Sequence, residues 1–201
     1  WGKKEVKDWD FIRDKKSCYY IYELTMNGRS QTGIVACASI DDYLNGMIKK
    51  HENTRREKEE DRVRHVDICD AQTGPIFLAY RNQESLKKIV ADVKTGAALF
   101  DFTSEDGIRH RGWKIADTEK ISAIYEAFHQ MNALYIADGH HRAASAVRVG
   151  VKRREEHPGY TGEEEFNYFL SVIFPDDELM IMDYNRVVRD LNGLTPEQLL
   201  E

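Results

Sequence analysis

Apolar and polar residues follow two spacings along the chain, one typical of strands and one typical of helices. Alternating runs rich in strand-forming residues flank an Asn-Gly and an Asp-Gly pair, which are strong hairpin signals. The runs are 17–25 with 32–38 around Asn27-Gly28, and 98–103 with 108–115 around Asp106-Gly107. We therefore predict two β-hairpins.

Apolar residues three and four positions apart predict helices between these hairpins. We expect one from Ser39 that runs into the charged stretch 49–65, one over 86–93 that ends at Gly96, and one from Thr118. Shorter apolar runs predict strands at 66–68, 76–80, 134–137, 166–174 and 179–182. Residues 1–16 should be a leading segment with at most a short helix, and 151–165 an exposed loop.

The most informative stretch is Asp138-Gly139-His140-His141-Arg142, which joins a strand-forming run to an alanine-rich segment. It predicts a strand, a tight turn and a helix N-terminus, where unpaired N–H groups and the macrodipole favour anions. Cationic side chains are disfavoured at such an end, so they are better explained if a phosphate lies among them. Ordinary helix capping beside a solvated histidine pair is the alternative, because short motifs also occur by chance.

This stretch resembles the signature of a large bacterial and archaeal family known as domain of unknown function 1015. The resemblance extends along nearly the whole chain, through segments 41–43, 48–54, 58–62, 75–77, 107–113, 135–144 and 184–188. The Gly-x-His-Arg turn also resembles the phosphate-binding turn of the ParB/sulfiredoxin-like fold. Within that fold, free-serine kinases carry a nearly identical Asp-Gly-His-His-Arg sequence, which implies a nucleotide-phosphate site.

Hairpins interleaved with helices predict an α+β fold, a mixed β-sheet with packed helices. The resemblance implies a ParB/sulfiredoxin-like nucleotide-binding unit within it. The chain has neither a Walker A sequence nor G-x-G-x-x-G, so the P-loop and Rossmann modes of nucleotide binding are not supported.

Charge and composition limit the kinds of partner that the protein can bind. The net charge of −6, from 35 acidic and 29 basic residues, argues against a general nucleic-acid binder. The chain has no apolar run long enough to span a membrane and no opening signal peptide, so we expect a cytoplasmic protein. Its three cysteines show no metal-binding spacing.

The candidate function is phosphoryl transfer from ADP or ATP, with Mg²⁺, to a small hydroxyl-bearing metabolite. Such chemistry is largely positioning and charge neutralisation. Gly139, His140, His141 and Arg142 are the candidates for binding the nucleotide phosphates, and Asp138 is the candidate Mg²⁺ ligand. Zinc binding through His140 and His141 is not expected, because adjacent helical positions point about 100° apart.

The catalytic candidates are Glu52, Asp138 and His141, with Glu52 as the base that accepts the hydroxyl proton. The mixed charges of 49–65 by themselves favour a solvated helix, whereas the family resemblance places His51 and Glu52 in the site. His51, His110 and Arg111 are the candidates for substrate binding. Two alternatives remain: a regulatory module that binds a nucleotide or phosphate and needs no base, and a nucleotide hydrolase in which water takes the place of the hydroxyl acceptor.

We expect residues 1–201 to form one domain within a longer protein. Thr195, Pro196 and Gln198 fit the N-cap, N1 and N3 positions at the start of a helix. The given sequence ends a few residues later, so we predict a truncated helix there. A single core should contain Trp113, Phe128, Leu134, Ile136, Val147, Phe169, Leu170 and Ile173.

Overall fold

The computed structural model describes residues 14–53, 56–183 and 185–200. In chain order its elements are β1 (Tyr19–Met26), β2 (Arg29–Ser39), α1 (Ile40–Leu44), β3 (Ile48–Lys49), α2 (Arg56–Cys69), β4 (Ile76–Tyr80), α3 (Glu84–Val93), β5 (Phe100–Thr103), β6 (Arg109–Ile115), α4 (Thr118–His129), β7 (Leu134–Asp138), α5 (His140–Glu156), β8 (Tyr168–Pro175) and α6 (Pro196–Leu200). Short 3₁₀ turns precede and follow β8. Predictions for residues 1–13, 54–55, 184 and 201 lie outside the described residues.

Both predicted hairpins form. Asn27 and Gly28 join β1 to β2 with φ angles of 52° and 78°, the positive pair that a type I′ turn requires. Gly107, at φ 81°, turns β5 into β6. In each case the local turn chemistry sets the pairing of the two strands that flank it.

The strands form one eight-stranded sheet in the order β3-β7-β4-β8-β2-β1-β6-β5. Two pairs are parallel, β3 with β7 and β4 with β8, and the others are antiparallel. The predicted α+β class, with a mixed sheet and packed helices, is therefore confirmed. Aligned apolar residues from neighbouring strands fill one face, namely Ile21, Ile34, Ile173, Leu78 and Ile136.

Helices α1, α3, α4 and α5 add their apolar residues to the same core, whereas α2 packs mainly on α5. Of the eight predicted core residues, six are buried: Trp113, Leu134, Ile136, Val147, Phe169 and Ile173. Phe128 is half-buried against this core, and Leu170 lines a separate cleft beside Cys37.

The predicted long helix from Ser39 is wrong in extent. Ser39 caps α1 through its hydroxyl, but the helix ends at Leu44 and Gly46 adopts a φ of 80°. The chain then enters β3, whose Ile48 is fully buried beside β7. The charged segment forms a separate helix, α2, which also takes in the strand predicted at 66–68.

Two boundaries near the C-terminus also differ from prediction. The exposed loop predicted at 151–165 is helical as far as Glu156, because Val151 packs on the core while neighbouring basic residues pair with α2. The strand predicted at 179–182 has no regular structure. The helix start at 195 is confirmed, since Thr195 and Gln198 bond each other reciprocally through side chain and backbone N–H.

Within the described residues, no helix is both long enough and apolar enough to cross a membrane.

Candidate active site

The Asp138 turn joins β7 to α5 as predicted. Gly139 has φ 94° and ψ 31°, a left-handed conformation that glycine adopts without the steric cost of a side chain. The first helical hydrogen bond runs from the Ala143 N–H to the Gly139 carbonyl at 2.9 Å, and no side chain of the described residues caps the helix. The N–H groups before Ala143 therefore remain available at the positive end of α5.

Sheet topology brings two other segments to this turn. Because β3 is parallel to β7, its carboxyl end lies at the same edge as Asp138, which places His51 and Glu52 nearby. Because β4 is antiparallel to β7, its start lies there too, which places Gly74 and Pro75 beside the turn. Four segments distant in sequence thus meet at one edge, the fourth being α2.

These segments enclose an open cleft of about 850 Å³. The turn and the start of α5 form one wall, and Glu52 lines the same cleft. Helix α2 runs alongside α5 and contributes Asp61, Arg62 and His65 to the opposite wall. Its position is fixed in part by ion pairs with α5, where Lys152 Nζ donates to Asp67 Oδ2 at 2.6 Å.

Arg142 is held in a defined position on this wall. Its Nη1 donates to the Pro75 carbonyl and its Nη2 to Asp138 Oδ2, each at 2.7 Å. The side chains of Arg142 and Asp138 are 38% and 73% exposed, so neither is removed from solvent. A guanidinium has five N–H donors, and the donors not used in these bonds can serve an anion in the cleft.

His140 occupies the first position of α5 and is buried. Its Nδ1 lies 3.7 Å from Glu52 Oε2, and its Nε2 accepts a long hydrogen bond of 3.4 Å from the His51 backbone N–H. Burial lowers the pKa of His140, and the neighbouring His51 lowers it further, while Glu52 and Asp138 oppose the shift. The ring is therefore neutral at pH 7, and this corrects the assumption that both histidines add positive charge at the turn.

His141 is half-buried, and its Nδ1 has no hydrogen-bond partner among the described residues. A buried polar atom without a partner carries a desolvation cost. His141 lines the cleft, but Nδ1 itself is shielded from solvent, so a ligand in the cleft would meet this atom only after the ring rotates.

His110 and Arg111 are not brought to this cleft. Both lie on β6, five positions from β7 in the strand order. His110 is bonded to Tyr22 Oη at 2.6 Å and to Ser104 Oγ at 3.0 Å. Of the three predicted substrate-binding residues, His51, His110 and Arg111, only His51 lies near the turn.

Arg111 belongs to a second polar cluster that sequence reasoning missed. Its Nε donates to the buried Glu23 at 2.8 Å, and Lys94 and Thr32 donate to the same carboxylate. Burial alone would raise the pKa of Glu23, but hydrogen bonds from Lys94 and Arg111 outweigh it and lower the pKa. Trp113 packs beneath both cations. The one signal of this cluster in the sequence is Glu23, an acidic residue within an otherwise apolar strand.

Asp61, Arg62 and His65 were also missed as cleft residues, although 58–62 carries part of the family resemblance. Comparison with curated proteins and with solved structures gives no significant match. A family model matches residues 3–201, nearly the whole chain, and the chain therefore belongs to the family described as Protein of unknown function (DUF1015).

Proposed function

We propose that the cleft binds a nucleotide through its phosphates and transfers a phosphoryl group to a small hydroxyl-bearing metabolite. The observation that carries this proposal is the start of α5, which no described side chain caps and which opens into the cleft with Gly139 in a left-handed conformation. A turn of this kind lets a phosphate approach the backbone closely and meet several N–H donors at once.

Arg142 supports the same proposal by its position. It is fixed by the Pro75 carbonyl and by Asp138, so little side-chain entropy is lost when it binds an anion. His141 adds a second group on the same helix, with an unsatisfied Nδ1. The similarity of this turn to that of ParB/sulfiredoxin-like serine kinases favours a nucleotide over a simple phosphate.

The residues present fit a nucleotide-bound Mg²⁺, which typically takes one or two carboxylate oxygens together with substrate phosphates. Asp138 is largely exposed, and its Oδ2 accepts a hydrogen bond from Arg142, whereas no described residue donates to its Oδ1. Bound there, the ion would neutralise charge on the phosphates.

Glu52 is the proposed base. Its carboxylate is 60% exposed, lines the cleft, and lies beside the neutral His140. In the proposed step, Glu52 accepts the proton of the acceptor hydroxyl, and the hydroxyl oxygen bonds to the terminal phosphorus. The bond from that phosphorus to the bridging oxygen breaks, and the shortened nucleotide leaves with the electron pair.

A product assay tests this proposal. The protein is incubated with Mg²⁺, ADP or ATP, and a panel of small hydroxyl compounds that includes serine, and products are followed by phosphorus NMR. A phosphorylated acceptor supports phosphoryl transfer. Inorganic phosphate formed without an acceptor would indicate the hydrolase, and nucleotide binding without any product would indicate the regulatory module.

Substituting Glu52→Gln tests the base. Turnover should fall by about 10²–10⁴-fold while nucleotide affinity changes little, because a general base acts in the transition state. Glu126→Gln, an exposed position on α4, is the matched control and should behave as wild type. Equal turnover in Glu52→Gln and wild type would remove Glu52 from this role.

A further inference from the structure

Three side chains with metal-binding atoms meet beside the Asp138 turn. His51, Glu52 and His140 each present one donor atom, and these atoms all lie within 4.8 Å of one another. The rings of His51 and His140 are in edge contact, with centroids 4.4 Å apart. Two imidazoles and one carboxylate are a common ligand set for borderline divalent cations.

We propose that His51, Glu52 and His140 bind a divalent transition-metal ion, such as Zn²⁺, at the mouth of the cleft. This site differs from that of the nucleotide-bound Mg²⁺, because its ligands are mainly nitrogen atoms and all belong to the protein. Imidazole donors select against Mg²⁺, which prefers oxygen.

The spacing of the donors suits such an ion. Ligands about 2.1 Å from a tetrahedral centre lie roughly 3.4 Å apart, close to the 3.7 Å between His140 Nδ1 and Glu52 Oε2. His140 is buried at the start of α5, so one ligand is already fixed. His51 and Glu52 are exposed and can rotate inward.

Ion binding also requires a change in the hydrogen bonding of His140. When Nδ1 of the neutral His140 ring holds the ion, its proton must lie on Nε2. The ring then gives up the 3.4 Å hydrogen bond from the His51 backbone, which is long and therefore weak. The positive end of α5 opposes a cation here, and the carboxylates of Glu52 and Asp138 offset that opposition.

Three protein ligands leave further coordination positions open to water or to a ligand in the cleft. Glu52 and His140 both line the cleft, so the ion would face it. The ion would also occupy the carboxylate of Glu52, so it should compete with the proposed role of Glu52 as base.

The test is calorimetric titration of tag-free, chelator-treated protein with Zn²⁺ in the absence of nucleotide. Wild type should bind one ion per chain, and His51→Ala and Glu52→Gln should each weaken binding by roughly tenfold or more. Both substituted side chains are exposed, so these variants should fold. A large excess of Mg²⁺ should leave Zn²⁺ binding nearly unchanged.

Two histidine variants serve as controls. His65→Ala removes a cleft histidine that lies 3.9 Å from Cys69, and His129→Ala removes an exposed histidine on α4. Both should bind Zn²⁺ as wild type does. The proposal is overturned if wild type shows no saturable binding, if affinity is lost in His65→Ala instead, or if His51→Ala and Glu52→Gln retain wild-type affinity. Nucleotide titration of the same samples reports separately on the phosphate site, because none of these variants alters Arg142.

Discussion

Replacing Gly139 with alanine should impair both folding stability and nucleotide binding. Gly139 has φ 94°, a conformation that costs an L-residue roughly 1–2 kcal/mol. For a chain of this size, about 1 kcal/mol lowers the melting temperature by roughly 2–4 °C, so a loss of about 2–8 °C is expected. The added Cβ would also lie 3.0 Å from Nε and Nη2 of Arg142, which must move to relieve the contact.

Moving Arg142 should remove at least one charge-assisted hydrogen bond to the nucleotide, about 1.5 kcal/mol or roughly tenfold in affinity. Gly107→Ala is the matched control, because Gly107 has φ 81° with open space around it and lies in the β5–β6 turn. Thermal melts should show similar losses for both variants, whereas calorimetry should show weakened nucleotide binding only for Gly139→Ala. Equal nucleotide affinity in the two variants would refute the close-approach argument.

Two further substitutions test the structural account. Backbone N–H groups of Thr161 and its neighbours hydrogen-bond to Glu164 and lower its pKa to about 2. A carboxyl group whose pKa is lowered in the folded state stabilises the fold above pH 4.5, and this contribution is lost as the pH falls towards 2. The difference in melting temperature between wild type and Glu164→Gln should therefore narrow on acidification. Glu23→Gln should destabilise the fold by about 3 kcal/mol in urea denaturation, the lower end for breaking a buried ion pair, because Lys94 and Arg111 remain 27% and 28% exposed. A loss below about 1 kcal/mol would mean that the pairs behave as surface pairs do.

Features fixed by neighbouring residues were predictable from the sequence. The Asn27-Gly28 turn requires two positive φ angles, which these residues tolerate, so its hairpin formed as expected. The same holds for the turn at Gly139, where one residue type permits the change from strand to helix. Thr195 and Gln198 similarly predicted the start of α6, where they form reciprocal hydrogen bonds.

Features fixed by distant pairing were not predictable in this way. The spacing of Leu44 and Ile48 suits a helical face, yet Ile48 lies in a strand because β7 offers it backbone partners and burial. Local preference and tertiary pairing disagree here, and the buried pairing prevails. The 66–68 run was likewise assigned to a strand, although it is the end of α2.

In the candidate site, too, the features set by neighbouring residues were predictable and those set by distant pairing were not. The residues of the Asp138 turn are contiguous, so a motif could suggest them. The contact between His51 and His140 joins residues 89 positions apart, and only the parallel pairing of β3 with β7 brings them together. His110 and Arg111 looked equally suitable by residue type, but the strand order separates them from the turn.

The central claim is that the start of α5 binds nucleotide phosphates, and calorimetric titration of ADP and ATP with Mg²⁺ into wild type and Arg142→Ala tests it most directly. Wild type should bind saturably, and Arg142→Ala should bind about 1.5–3 kcal/mol more weakly, roughly 10- to 150-fold. Arg148→Ala removes an exposed arginine that lies on the same helix as Arg142 and pairs with Glu59 of α2, and this variant should bind as wild type does. Absence of nucleotide binding by wild type, or equal affinity in Arg142→Ala, would contradict the claim.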